Sequence, residues 1–235
     1  METKKFNDLY KQVSSMRITD FPPSVLSGLL HGYLSVYFMV RVHPWLEGAY
    51  DNQWKIYNRI REIAEILAIL VKDHSLPVEE RVGYVADLMD TYLMYSDIES
   101  LELALEVTYE ILIPQGENKM EIPCYTPEAY RLLCGCYYFT NEEKCAELAK
   151  EIVWKLKDHI NESNSESKWV LFLAMRLYQS TVDESNCFCT SKEWEKYLDE
   201  ELIRMENGEK NDDIVFEVRY FDLLAVREFS LLEVN

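Results

Sequence analysis

Apolar residues return at helical intervals along most of this chain. Ile56, Ile60, Ile63, Leu67 and Leu70 form one stripe, and Cys145, Leu148, Ile152, Leu156 and Ile160 form another. Steps of three and four place side chains on one side of an α-helix, so each stripe reads as an amphipathic face. Helix starts are marked by residues that can satisfy the unpaired N–H groups of a first turn. Ser96-Asp97-Ile98-Glu99 and Thr190-Ser191-Lys192-Glu193 fit the capping box, and Thr126-Pro127-Glu128 offers a cap, a proline at the first helical position and an acid on the positive dipole end. Asn141-Glu142-Glu143, and Pro77 ahead of Glu79-Glu80, resemble further starts, while Pro114 and Asn207-Gly208 read as stops.

These marks predict an all-α protein of nine to ten helices, near 2–14, 24–42, 51–73, 78–95, 98–113, 127–139, 142–160, 167–180, 191–206 and 212–232. The last alternates like a strand over Phe216-Glu217-Val218-Arg219-Tyr220, but its length and the lack of a strand partner elsewhere favour helix. With only seven Gly and seven Pro, the chain has few special turn positions, which suits helices with short joins. Nothing resembles a linker, so residues 1–235 are expected to form a single helical-hairpin domain.

A gap-free shift of about 45 residues exposes internal repetition. Leu88 then falls on Leu133, Tyr92 on Tyr137, Glu102 on Glu147, Leu103 on Leu148, Ala104 on Ala149, Glu106 on Glu151, and Tyr109 on Trp154. Ala174 and Tyr178, and Tyr33 and Tyr37 with Ile63-Ala64 in the next helix, echo it more loosely. Two small hairpins on one template, neither able to bury its own faces, imply stacking of about four antiparallel hairpins. The recurring Tyr92, Tyr137 and Tyr178 would line a groove or pack between hairpins, and packing is the commoner use of aromatics at helical spacing. Within residues 84–156, Tyr130-x2-Leu133-Cys134-x2-Tyr137 followed by Ala146 resembles the tetratricopeptide-repeat pattern, although Lys150 stands where that family has a large aromatic. The resemblance implies an α/α superhelix with an interaction surface on its concave side.

Charge narrows the partners. Forty-two acidic against twenty-four basic side chains leave −18, which repels a phosphate backbone, so no nucleic-acid partner is expected. Val25–Val40, VLSGLLHGYLSVYFMV, carries no formal charge, but its sixteen residues fall short of the ~20 that cross a bilayer, and His31, two Ser and two Gly make it a buried helix and not a membrane span. The amino terminus shows no basic-then-apolar leader pattern, so a cytoplasmic location is expected. There the six cysteines (124, 134, 136, 145, 187 and 189) remain thiols.

Candidate chemistry is sparse. His31, His43, His74 and His159 share no ligand spacing, and Cys134-x-Cys136 points in two directions from one helix. Cys187-Phe188-Cys189, in a loop, lacks a second pair, so no metal or cofactor is expected. No nucleophile elbow or phosphate-binding glycine loop occurs, and no catalytic residue is assigned. Asp87 and Asp90 share a helix face as a carboxylate pair, a common surface arrangement in an acidic chain. The densest set of ligand-contacting groups is the join from His43 to Trp54, with His43, Trp45, Tyr50 and Trp54 as candidate binding residues; its plainer role is a long connection whose two indoles cap the core. Three functions fit: a non-catalytic module binding a protein or peptide, an α/α-toroid-like enzyme acting on a sugar, and an acidic inhibitor or immunity-type protein covering a basic surface. The first draws on both composition and repetition.

Overall fold

A computed structural model describes residues 2–95, 98–113, 124–160, 191–207 and 213–233. Among them are nine α-helices and no strand: α1 (Glu2–Ser15), α2 (Leu26–Val42), α3 (Gln53–Val71), α4 (Val78–Tyr95), α5 (Ile98–Ile111), α6 (Pro127–Thr140), α7 (Glu143–Ile160), α8 (Ser191–Asn207) and α9 (Ile214–Glu233). The protein is all-α. The helix expected at 167–180, Ala174, Tyr178, the Cys187–Cys189 loop and the caps or stops at Ser96, Asp97, Pro114, Thr190 and Gly208 lie outside the described residues.

Local signals act as their chemistry requires. The Thr126 hydroxyl accepts a hydrogen bond from Ala129 N–H at 3.2 Å, with Pro127 at the first helical position. Asn141, expected to open α7, instead closes α6: it adopts φ 57°, and its N–H donates to Tyr137 O at 2.8 Å. Asparagine tolerates the left-handed region that such a stop demands. The alternating run Phe216–Tyr220 is helical, and Phe216 and Tyr220, one turn apart, stack at 6.1 Å.

The chain divides into two compact units, residues 1–66 with 198–235, and residues 67–197. In the first, α2 packs chiefly on α9. Gly28 faces Val218, Gly32 faces Phe221, and Phe38 lies 6.5 Å from Phe229, so the numbers rise together and the helices run parallel. The looser echo in the sequence predicts a hairpin of α2 with α3; the structure pairs α2 with α9 instead. Pro23–Val42 is long and apolar enough to cross a bilayer, but Leu26, Leu29, Leu30, Tyr33, Val36, Met39 and Val40 are all buried here. α1 runs against α9, with Phe6 on Phe221 and Gln12 donating to Glu217. Arg59 of α3 closes the end of α1 by donating to Met16 O at 2.6 Å and to Ser14 O, carbonyls a helix end leaves without a partner.

In the second unit α4 pairs with α5, α6 pairs with α7, and α4 and α6 are neighbours. Position 83 faces Glu128, Asp87 meets Arg131, and Tyr92 meets Phe139, so α4 and α6 are parallel at offsets of 44 to 47 residues. Tyr92 therefore packs across two hairpins, half-buried and edge-on to Phe139 at 4.9 Å. The unit's core is built from residues such as Val82, Val85, Leu88, Leu132, Leu133 and Ile152.

Candidate functional site

The join between α2 and α3, residues 43–52, is heavily hydrogen-bonded. His43 N–H donates to Met39 O at 2.8 Å, and Pro44–Gly48 form a 3₁₀ turn in which Leu46 N–H donates to His43 O at 2.9 Å. Ala49 and Tyr50 N–H groups both donate to Leu46 O. At the start of α3, the Asn52 side chain accepts from Lys55 N–H at 3.0 Å, and Glu47 Oε1 accepts from Gln53 N–H at 3.3 Å. Backbone donors that a polar surface turn would leave to water are thus held by the protein, and the side chains between stand on a fixed support.

On that support the four expected binding residues separate. Trp45 and Trp54 are 73% and 74% exposed, so neither indole caps the core as the plainer role would have it. The His43 ring lies 4.7 Å from that of Trp45, and Tyr57 meets Trp54 edge-on at 5.8 Å. Tyr50 turns inward and packs against Phe6 at 5.5 Å and Tyr10 at 5.2 Å. Burial pushes its phenol well above the ordinary range, and the charge of Glu228 adds to the effect. Tyr10, buried likewise, donates its hydroxyl to Asp51 at 3.0 Å, and Lys55 pairs with Asp51 at 2.6 Å. The structure brings His43 and Trp45 together at the surface, sets Trp54 at the far end of the join, and places Tyr50 in an aromatic core.

The chemistry of the second unit is interior. Asp87 and Asp90, one turn apart on α4, both grip Arg131 of α6, at 2.6 and 3.0 Å, and all three side chains are buried. The guanidinium balances one of the two carboxylate charges, and burial screens the pair from a substrate. The signal was visible in the sequence: Arg131 is the one cation in the apolar run from Tyr130 to Cys136. Cys124, Cys134, Cys136 and Cys145 are buried free thiols. Burial raises all four, Cys124 and Cys145 to about 11 and Cys136 to about 12, so they stay protonated and poorly nucleophilic. Within either unit, no three His, Cys, Asp or Glu side chains among the described residues converge on one point.

Comparison with known proteins finds no family model, no curated relative and no solved structure that matches this chain.

Proposed function

We propose that the protein is a non-catalytic module that binds a protein or peptide through the join between α2 and α3. The observation that carries this reading is the exposure of Trp45 and Trp54 on a hydrogen-bonded support. A free indole in water forgoes the burial that stabilises most tryptophans, while a rigid aromatic at a docking surface adds contact area with little conformational entropy lost. The second unit lends support to a helical-repeat architecture: α4 and α6 lie parallel at offsets of 44 to 47 residues, matching the shift of about 45 that aligns their sequences. A tetratricopeptide-like array would be built in this way, from hairpins that bury their faces on one another.

The test is quantitative recovery of partners from cells of the source organism with wild-type, Trp45→Ala and Trp54→Ala chains. The leading partner is then purified and titrated. A partner whose affinity falls at least tenfold in one variant that melts like wild type supports the reading. Partner sets unchanged in both variants would sink it.

A further inference from the structure

The surface around Trp45 limits what kind of chain it can hold. Main-chain pairing is closed there: His43 N–H donates to Met39 O, His43 O accepts from Leu46 N–H, and Leu46 O accepts from both Ala49 and Tyr50 N–H groups. An extended strand adding by backbone hydrogen bonds finds few open groups, so recognition falls to side chains. Charge does not choose the partner either. Glu47 accepts from Gln53 N–H at 3.3 Å, Lys55 pairs with Asp51 at 2.6 Å, and exposed Arg41 offsets Glu47, so the join has no dominant sign. The apolar groups left facing water are Val42, 61% exposed, Pro44, and Trp45, with the His43 ring inclined at 54° to the indole.

His43 adds one polar feature. Its Nδ1 is buried and has no hydrogen-bond partner among the described residues. A proton on that nitrogen would be left unpaired away from water, so in the neutral ring the proton belongs on Nε2. The imidazole then offers a donor and no accessible acceptor, and the indole of Trp45 has only an N–H to offer. Such a surface suits a chain with free carbonyl oxygens and few N–H groups.

We propose, resting on the reading of this join as the binding surface, that Val42, His43, Pro44 and Trp45 hold a proline-rich segment of another protein. Proline has no N–H, the carbonyls of a polyproline II helix have no internal partner, and the prolyl ring is an apolar plate that packs on an aromatic face. The helix is also stiff before it binds, so little conformational entropy is lost. An amphipathic partner helix fits less well. Its carbonyls are already bonded, and its apolar stripe runs over several turns, which the short run from Val42 to Trp45 does not match.

The probe is end-capped decaproline titrated calorimetrically into the full chain, with a glycine-serine peptide and a helical alanine-glutamine peptide of the same length as controls. We expect saturable binding of decaproline, with a Kd below about 1 mM, and no binding of either control. Trp45→Ala should weaken it about tenfold. His43→Phe keeps a ring beside Trp45 but removes the donor, and should weaken it a few-fold. Trp45 is exposed and His43→Phe buries no new polar atom, so both variants are expected to melt like wild type. Absence of decaproline binding, equal binding of either control, or wild-type affinity in Trp45→Ala or His43→Phe would overturn the proposal. If decaproline fails while a partner recovered from cells still depends on Trp45, the join remains a binding surface and only the proline assignment falls. Partner sets indifferent to both indoles would sink the wider reading and this one with it.

Discussion

Phe221 lies so close over Gly32 that the glycine's missing side chain sets the spacing of α2 and α9. A Cβ built at position 32 would come within 2.6 Å of the Phe221 Cδ1 atom and nearer still to Cε1. The ring has nowhere to retreat, for it is fully buried and packed among Phe6 at 6.0 Å, Tyr33 at 5.5 Å and Tyr10 at 6.3 Å. One turn earlier, a Cβ at Gly28 would meet Val218 Cγ1 at 3.5 Å, an ordinary contact.

The two glycines should therefore answer the same substitution with opposite signs. Alanine in a helix gains roughly 0.8–1 kcal/mol over glycine through propensity. Gly28→Ala should keep most of that gain and melt about 1–3 °C higher. In Gly32→Ala the clash, on the scale of about 1–3 kcal/mol for overpacking, outweighs the propensity gain, and the melt should fall by several degrees. Thermal unfolding of both variants decides the matter, and a Gly32→Ala chain more stable than wild type would show that Phe221 is free to move.

How much of this was legible in the sequence differs from element to element. The periodic stripes of α3 and α7 and the Thr126-Pro127-Glu128 cap located helices because local chemistry decides where a helix starts and which face is apolar. The glycines and His31 marked α2 as a core helix, but its parallel partner lies about 190 residues further on, and a helical stripe does not name what covers it. The echo in Tyr33 and Tyr37 pointed to α3 for that reason. In the join from His43 to Trp54, residue types identified where aromatics gather. Which of them turn inward could not be read, since a loop has no period to assign faces, and only the structure separates half-buried Tyr50, packed on Phe6 and Tyr10, from exposed Trp45. Asp87 and Asp90 were seen to share a face, while Arg131, the group that explains them, is 44 residues from Asp87.

The exposed indoles make a stability prediction apart from any partner. Trp45→Ala and Trp54→Ala should each change stability by less than about 0.5 kcal/mol, as substitutions at exposed positions usually do. Tyr50→Ala removes a ring packed on Phe6 and Tyr10 and should cost about 2–4 kcal/mol, near the range for truncating a buried aromatic. Denaturant unfolding of the three variants provides the measure. If Trp45→Ala costs as much as Tyr50→Ala, the indole is part of the core and the binding surface is misplaced.

The thiols offer a check on the interior of the second unit. With Cys124 and Cys145 raised to about 11, the thiolate fraction of each at pH 8 is on the order of 0.1%. Iodoacetamide at pH 8 should therefore modify Cys124, Cys134, Cys136 and Cys145 far more slowly in the native protein than in urea. Mass spectrometry of the four peptides against time reads this directly. Rapid native alkylation of Cys134, which is fully buried, would mean that α6 is not packed as described.

The last prediction concerns what the buried ions of the second unit contribute. Arg131 lies between two carboxylates that are themselves shielded from water, so removing it leaves like charges one turn apart in a medium that solvates them poorly. Arg131→Met should cost about 3–5 kcal/mol, the range for breaking a buried ion pair from one side. Deleting the carboxylates as well removes the excess buried negative charge, and shape-matched apolar groups can replace such a cluster at little cost. The triple variant Arg131→Met/Asp87→Leu/Asp90→Leu should therefore be more stable than the single Arg131→Met. That ordering is what distinguishes an electrostatic loss from a packing defect, because a defect would grow with each added substitution. Urea unfolding of wild type, single and triple variants measures it. A triple variant less stable than Arg131→Met would show that the two aspartates contribute through contacts other than the guanidinium, and that the clamp between α4 and α6 is not principally ionic.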